Sequence, residues 1–229
     1  KSRLVAVSLL IILSVVVIFA GSRLYSQYRE QVIRTEESQL LTMAGIVGNN
    51  LNSYMEQQLE EIDLFYSQEG MPENVWAESG GINARTAYFL KENVGVYNWI
   101  TVTEPDGTKF RYEPGKKTFR ESSDGEVKAV ASQDGNHPAE ITGKEISDQT
   151  GWYELYIEKN VPVGSEVYVL TFAMDLGALY EKIVAPVKIG EAGYSSVKDQ
   201  NMNIIMHHVK NQIGLEAVDG RIERYPYLD

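Results

Sequence analysis

The side chains of this chain that could do chemistry are few, and they suit holding a molecule better than breaking one. Trp99 and Arg111, the pair Trp152-Tyr153, and Asp175 all fall within or at the ends of β-capable stretches. A small polar cavity is built from such parts: aromatic walls bury a ligand and a few charges fix its orientation. Arg111 suits an anionic ligand, because a guanidinium forms bidentate pairs with carboxylates. Each residue also has a plainer use. Tryptophan and tyrosine fill cores, an arginine on a hairpin is solvated, and an aspartate before a helix caps it. Trp152 and Tyr153 point to opposite faces of a strand, so one pocket takes only one of them unless the strand begins between them.

Catalytic and metal-binding patterns are missing from the sequence. It contains no His-Glu-x-x-His, no phosphate-cradling glycine loop and no Gly-x-Ser-x-Gly. His207 and His208 are neighbours in a β-capable stretch, where adjacent side chains face opposite ways and cannot chelate one ion, while His137 stands before Pro138 in a loop. No metal and no cofactor is expected. Glu60-Glu61 falls on the exposed side of a helical stretch and reads as a solvated surface. There are 0 cysteines, which excludes disulfides, thiol chemistry and cysteine-based metal sites. With 32 acidic against 21 basic side chains the formal charge is −11, so nucleic acid and anionic lipid surfaces repel the chain and no nucleic-acid partner is expected.

The elements that must position these residues begin with Leu4–Ala20, an uncharged stretch whose only polar members are Ser8 and Ser14. At ~1.5 Å per residue it reaches the lower limit for spanning a hydrocarbon core of ~30 Å. Two readings are open: an uncleaved membrane anchor, or a secretory signal ending at Ala20-Gly21-Ser22. The anchor is favoured, since Ile18 sits where cleavage wants a small residue and helical pattern continues past Ser22. Lys1 and Arg3 then stay inside and the chain beyond Gly21 lies outside. From Arg23 to about Gln68 no proline occurs, and Ile33, Leu40, Ala44, Val47, Leu51, Tyr54, Ile62 and Phe65 recur mostly three or four apart. This predicts one long amphipathic helix. Its stripe, with Gly45 and Gly48, packs either on its own domain or along a parallel homodimer seam.

Gly70-Met71-Pro72 stops that helix, and a second runs from about Asn83 to Asn93. Tyr97–Thr103, a Glu104-Pro105-Asp106-Gly107 turn and Thr108–Tyr112 form a hairpin pattern. Residues 114–137 read as polar loops with a minor helix or strand, and order returns near Ile141. Trp152–Val161 and Glu166–Ala173 read as adjacent antiparallel strands joined at Pro162-Val163-Gly164-Ser165. Asp175 caps a helix to about Val184, ended before Pro186. A new unit starts after Gly190: Gly193–Lys198 as a strand, a turn at Asp199-Gln200-Asn201, and Asn203–His207 as its partner. Too few strands follow to complete a sheet, which predicts a C-terminal truncation.

This order of elements, with a strand pair feeding an Asp175-Leu-x-x-Leu179 helix, resembles an extracytoplasmic PAS-like sensor of the Cache superfamily, in its double-Cache form. Residues Ala192-Gly-Tyr-Ser-Ser-Val-Lys-Asp199, Ile204-Ile-Met-His207 and Gln212-Ile-Gly214 resemble the start of the membrane-proximal sheet of relatives, which read Gly-Tyr, Lys-Asp, x-x-Gly, Met-His-Pro and Gln-Ile-Gly. Met202 replaces the turn glycine, so Asn201 is expected to take the left-handed position, and His208 replaces the proline. Amino-acid-binding members carry an arginine two residues before the Trp-Tyr pair to clamp the ligand carboxylate. Thr150 stands there, so amino-acid sensing is not supported. Asp175 occupies the place of an acidic residue that meets the ligand amine in those relatives.

The resemblance implies an α+β fold: an N-terminal transmembrane helix continuous with a long extracellular helix packed on a PAS-like antiparallel sheet, plus an incomplete second PAS-like unit. The expected division is an anchor over 1–21, the helix and distal sensor domain over 22–186, and the start of a proximal domain over 187–229. It also implies a bacterial membrane receptor that binds a small molecule and relays a helix movement to a kinase, cyclase or chemotaxis module. A signal-anchored surface enzyme and a structural protein with an oligomeric helical stalk are the rival classes.

Overall fold

The proline-free run is helical, as its periodicity predicts: in the computed structural model α1 runs Ser2–Tyr66. The structure describes residues 2–67, 81–115, 119–121, 137–188, 193–218 and 221–222. It divides into two compact units, Lys1–Gly48 and Asn49–Asp229. In the first unit the helix presents Leu24, Tyr25 and Tyr28 to solvent, and Arg34 pairs with Glu30 one turn back at 2.7 Å. Among the described residues no helix is long and apolar enough to cross a membrane. Within the apolar stretch side chains are described from Leu13 onward, and Leu13 and Val15–Phe19 are all exposed.

The second unit is a sheet with helices on one face. A second helix, α2 (Gly81–Glu92), starts two residues before the expected Asn83 because Ile82 is drawn into the core. Six antiparallel strands follow: β1 (Tyr97–Thr103), β2 (Lys109–Tyr112), β3 (Phe119–Glu121), β4 (Glu140–Ile146), β5 (Tyr153–Val163) and β6 (Glu166–Asp175), in the order β3-β2-β1-β6-β5-β4. The β1–β2 hairpin matches its sequence pattern. The edge strand β4 does not announce itself, because six of its seven residues are exposed and no alternation marks it. Most of the 114–137 stretch lies outside the described residues.

The β5–β6 turn is shorter than expected. Pro162 pairs with Val167 inside the ladder, Val163 pairs with Glu166, and Gly164-Ser165 alone turns the chain, with Gly164 at φ +63°. The β4–β5 ladder runs only from Glu158 to Tyr153 on β5, so Pro162, which has no N–H to give, lies beyond the part of β5 that β4 pairs with.

Alternation sends Ile100, Val102, Tyr112, Ile157, Val161, Leu170 and Phe172 to one face, where they join Ile62 and Tyr66 of α1 and Ile82, Phe89 and Leu90 of α2. Phe172 contacts the rings of Tyr66, Phe89 and Tyr97 at centroid distances of 5.9, 5.7 and 5.6 Å. Glu60 is exposed as expected, whereas Glu61 is half-buried and accepts from Gln58 Nε2 at 3.4 Å. Its position beside the Tyr54–Tyr97 edge of the core removes it from bulk water.

After β6 the chain forms α3 (Leu176–Leu179), a single turn that passes into a π-helical turn at Tyr180–Val184. The expected strand Gly193–Lys198 is only β7 (Val197–Lys198), paired with β8 (Ile204–Met206). Two further short strands, β9 (Ala217–Val218) and β10 (Arg221–Ile222), pair with one another. In the β7–β8 turn Met202 itself takes φ +65°, and not Asn201 as expected. The Asp199 carboxylate is the cause: its Oδ1 accepts the backbone N–H of Asn201 and of Asn203, both at 2.9 Å, which holds Asn201 in place and passes the left-handed residue on to 202.

Two outcomes test this account. Phe172→Ala should lose about 3–5 kcal/mol in denaturant unfolding, the range for an aromatic removed from a closed core. Lys144 and the Asn203 contacts hold the Asp199 carboxyl down at about 2. A lowered folded-state value means that its stabilisation is complete above the ordinary carboxylate range and drains away as pH falls from about 4 to about 2. Asp199→Asn should therefore flatten the acid limb of a stability–pH profile below pH ~4.

Candidate functional site

The helices occupy one face of the sheet, so the face that alternation turns away from them is where functional side chains gather. Trp99 and Thr101 of β1, Arg111 of β2, Glu154, Tyr156 and Glu158 of β5, and Thr171 and Ala173 of β6 share that phase. The structure brings together two of the five expected site residues: the Arg111 guanidinium lies 4.3 Å from the centroid of the Trp99 ring, a cation–π distance. Arg111 Nε also donates to Glu113 Oε1 at 3.0 Å.

Two further residues, Glu154 and Tyr156, complete this cluster, and the sequence singles out neither of them. Glu154 is only 6% exposed, and its two oxygens accept from Asn98 Nδ2 at 2.8 Å and Trp99 Nε1 at 3.1 Å. Neighbours in a regular strand could not both reach one carboxylate. A register shift between Tyr97 and Trp99 re-aims them, as a bulge does. Tyr156 lies 5.6 Å from Trp99 at 49° and donates its hydroxyl to Glu145 Oε2 at 3.1 Å. Burial, then the neighbouring Glu145, pushes the Tyr156 hydroxyl up to about 12, so it remains a donor at physiological pH. The alternation Glu154, Tyr156, Glu158 was visible in the sequence as an outward phase. The bulge that gives it two partners was not.

The other three expected residues sit elsewhere. Trp152 precedes β5, so the strand does begin between it and Tyr153. Its indole is buried against Tyr180 at 5.2 Å and covers Gly177, where an added Cβ would come within 2.7 Å of the ring. Tyr153 projects towards Lys144, 5.9 Å from its ring centroid, and towards Gly214. Asp175 is the N-cap of α3, accepting from Gly177 N–H at 2.9 Å. It also lines a cavity of about 200 Å³ with Tyr54, Val96, Met174 and Lys182, smaller than the ~300–1,000 Å³ usual for ligand pockets. Thr150 accepts the Trp152 N–H at 3.2 Å and is a turn residue.

His207 and His208 do not take the opposite faces expected of strand neighbours, because β8 ends at Met206. The rings of His207 and His208 lie 4.6 Å apart, both against Tyr194. His207 Nδ1 accepts the Val209 N–H at 3.1 Å, and burial lowers its proton affinity. Among the described residues no group of three His, Cys, Asp or Glu could hold a metal ion. The outer-face cluster offers two aromatic rings, a guanidinium and a buried carboxylate, which can bind by stacking and charge. Gly177→Ala tests the placement of Trp152: the rigid indole cannot yield, and the variant should lose about 1–3 kcal/mol of unfolding free energy, with a changed tryptophan fluorescence spectrum.

No protein family and no curated protein matches the chain. Among solved structures it is similar to the extracellular domain of vpHK1S-Z8, a protein assigned as a histidine kinase, with a TM-score of 0.55 and 15% sequence identity over 80% of this chain and 73% of that one. The likeness is one of fold.

Proposed function

We propose that this chain is the ligand-sensing, extracytoplasmic region of a bacterial transmembrane signalling receptor of the double-Cache type. The observation that carries the reading is the sheet's division of labour: one face is filled by α1 and α2, while the other collects Trp99, Arg111, Glu154 and Tyr156. The likeness to a histidine kinase extracellular domain supports the same reading. In it, Leu4–Ala20 anchors the chain in the membrane. The exposed apolar side chains of Leu13 and Val15–Phe19 are surface that water penalises and lipid accepts.

Signalling then requires a ligand whose affinity differs between two arrangements of the sheet and α1, since a ligand that binds both equally shifts nothing. The protein acts as a homodimer through α1, with the ligand a small molecule held by Trp99 and Arg111. The reading is of a sensor and not of an enzyme, in keeping with the likeness to an extracellular domain of a histidine kinase.

A thermal-shift screen of small carboxylates and amines against the chain tests the proposal. A ligand at 100 times its dissociation constant should add ~2.7 kcal/mol of stability, and both Trp99→Ala and Arg111→Ala should abolish that shift. A shift that survives both substitutions overturns the assignment of the site.

A further inference from the structure

A physical connection leaves the outer face of the sheet through the edge strand β4. Four contacts join the β4–β5 end of the sheet to residues 199–214. Lys144 Nζ pairs with Asp199 Oδ2 at 2.6 Å. Lys210 Nζ donates to the Thr150 carbonyl at 3.1 Å. Gly214, at φ +85°, lies so close to β4 that an added Cβ would meet Ile146 Cδ1 at 2.9 Å, with the Tyr153 hydroxyl 3.7 Å away.

The ion pair is the shorter of the two polar contacts. Asp199 is the residue on which the whole β7–β8 turn is built, holding Asn201 and Asn203 by their backbone N–H groups and the Asn203 side chain at 3.2 Å. The turn contains Met202, the one non-glycine among the described residues with a left-handed backbone. A residue with a Cβ persists there only while its surroundings hold it. Lys144 therefore braces a carboxylate that itself restrains a strained turn.

The other end of the connection is the ligand face. Glu145, next to Lys144 on β4, accepts the Tyr156 hydroxyl, and Tyr156 lies against Trp99. Adjacent strand residues point to opposite faces, so β4 carries the tyrosine contact on one side and the aspartate contact on the other. A register shift between Ile141 and Gly143 interrupts the β4–β5 ladder just before these residues, which lets the segment 143–146 shift without breaking the whole strand.

We propose that the Lys144–Asp199 pair is a latch between the sheet's edge and the β7–β8 turn, and that it passes changes at the Trp99–Tyr156 face into the region 197–214. Its signalling role rests on the sensor reading above; the latch itself is a property of the unliganded chain and is tested without a ligand.

The test is amide hydrogen exchange on the full chain, read in peptides covering residues 201–204, with β6 as the internal control. Lys144→Gln should raise exchange in the turn by about tenfold, as expected when a charged partner of a local structure is lost, and Lys144→Arg should restore it. Tyr156→Phe, which removes only the hydroxyl, should raise exchange in the same turn severalfold in the native background and add nothing on top of Lys144→Gln. Such non-additivity marks a shared path. If Tyr156→Phe leaves the turn unchanged, or if the two effects multiply independently, the latch is wrong. A ligand that stabilises the protein while Tyr156→Phe leaves the turn unchanged overturns the latch alone. Coupling present without any ligand that depends on Trp99 and Arg111 supports the latch and overturns the sensor reading instead.

Discussion

Everything in the second unit depends on seating the end of α1 on the sheet through a cluster of aromatic rings. Phe65 and Tyr66 from α1, Phe89 from α2, Tyr97 from β1 and Phe172 from β6 lie 4.8–5.9 Å apart, centroid to centroid, along their contacting pairs. Large rings bury the most apolar area per residue, and edge-on or tilted pairs add about 0.5–1.5 kcal/mol each beyond that area. Their polar ends are also satisfied: the Tyr66 hydroxyl reaches Thr86 Oγ1 and the Tyr97 hydroxyl reaches Gln58 Oε1, each at 3.2 Å. Burial raises the proton affinity of both hydroxyls well above the usual phenol range, so they remain neutral donors. Because this cluster commits one face of the sheet to the helices, only the other face is left for recognition.

Two buried charges show how that commitment is oriented. Lys159 is 4% exposed and shares the phase of Ile157 and Val161, yet its ammonium finds Asp63 of α1 and the His137 carbonyl, both at 2.8 Å. Desolvating an ion is costly, and such pairs contribute more to choosing one arrangement than to net stability. Asp63 also accepts the Ala139 N–H at 2.8 Å, so a single carboxylate ties α1 to β5 and to the segment entering β4. Glu154 has the corresponding position on the outer face, where its partners come from the bulged start of β1. Each face of the sheet thus carries one charge that fits only one register.

The residues that look most like ligand contacts divide by the structural work already asked of them. Trp152 and Asp175 are occupied in closing the exit from β6: the indole covers Gly177 while the carboxylate caps the same residue. Lys182, 4.5 Å over the Tyr54 ring, fastens the following π-helical turn to α1. Trp99 and Arg111 have no comparable role in the core. Together with Tyr156 they form a cluster whose next contacts, Glu145 and then Lys144, lead to the edge of the sheet, which is where a binding surface and a coupling element would meet.

The amino-acid sequence alone determined the long helix, the β1–β2 and β5–β6 hairpins, the cap at Asp175 and the turn at Asp199, because each follows from local periodicity, a proline or glycine stop, or a side chain reaching its own backbone. It also placed Trp99 and Arg111 on the β1–β2 hairpin. Tertiary structure alone decided that they stack, that Glu154 belongs with them and that β4 exists as an edge, whereas the left-handed backbone at Met202 follows from the local reach of Asp199. The physical reason is common to the first three. They rest on a register shift or on a contact between residues far apart in the chain, such as Lys144 with Asp199, and neither propensity nor hydrophobic period encodes such pairings.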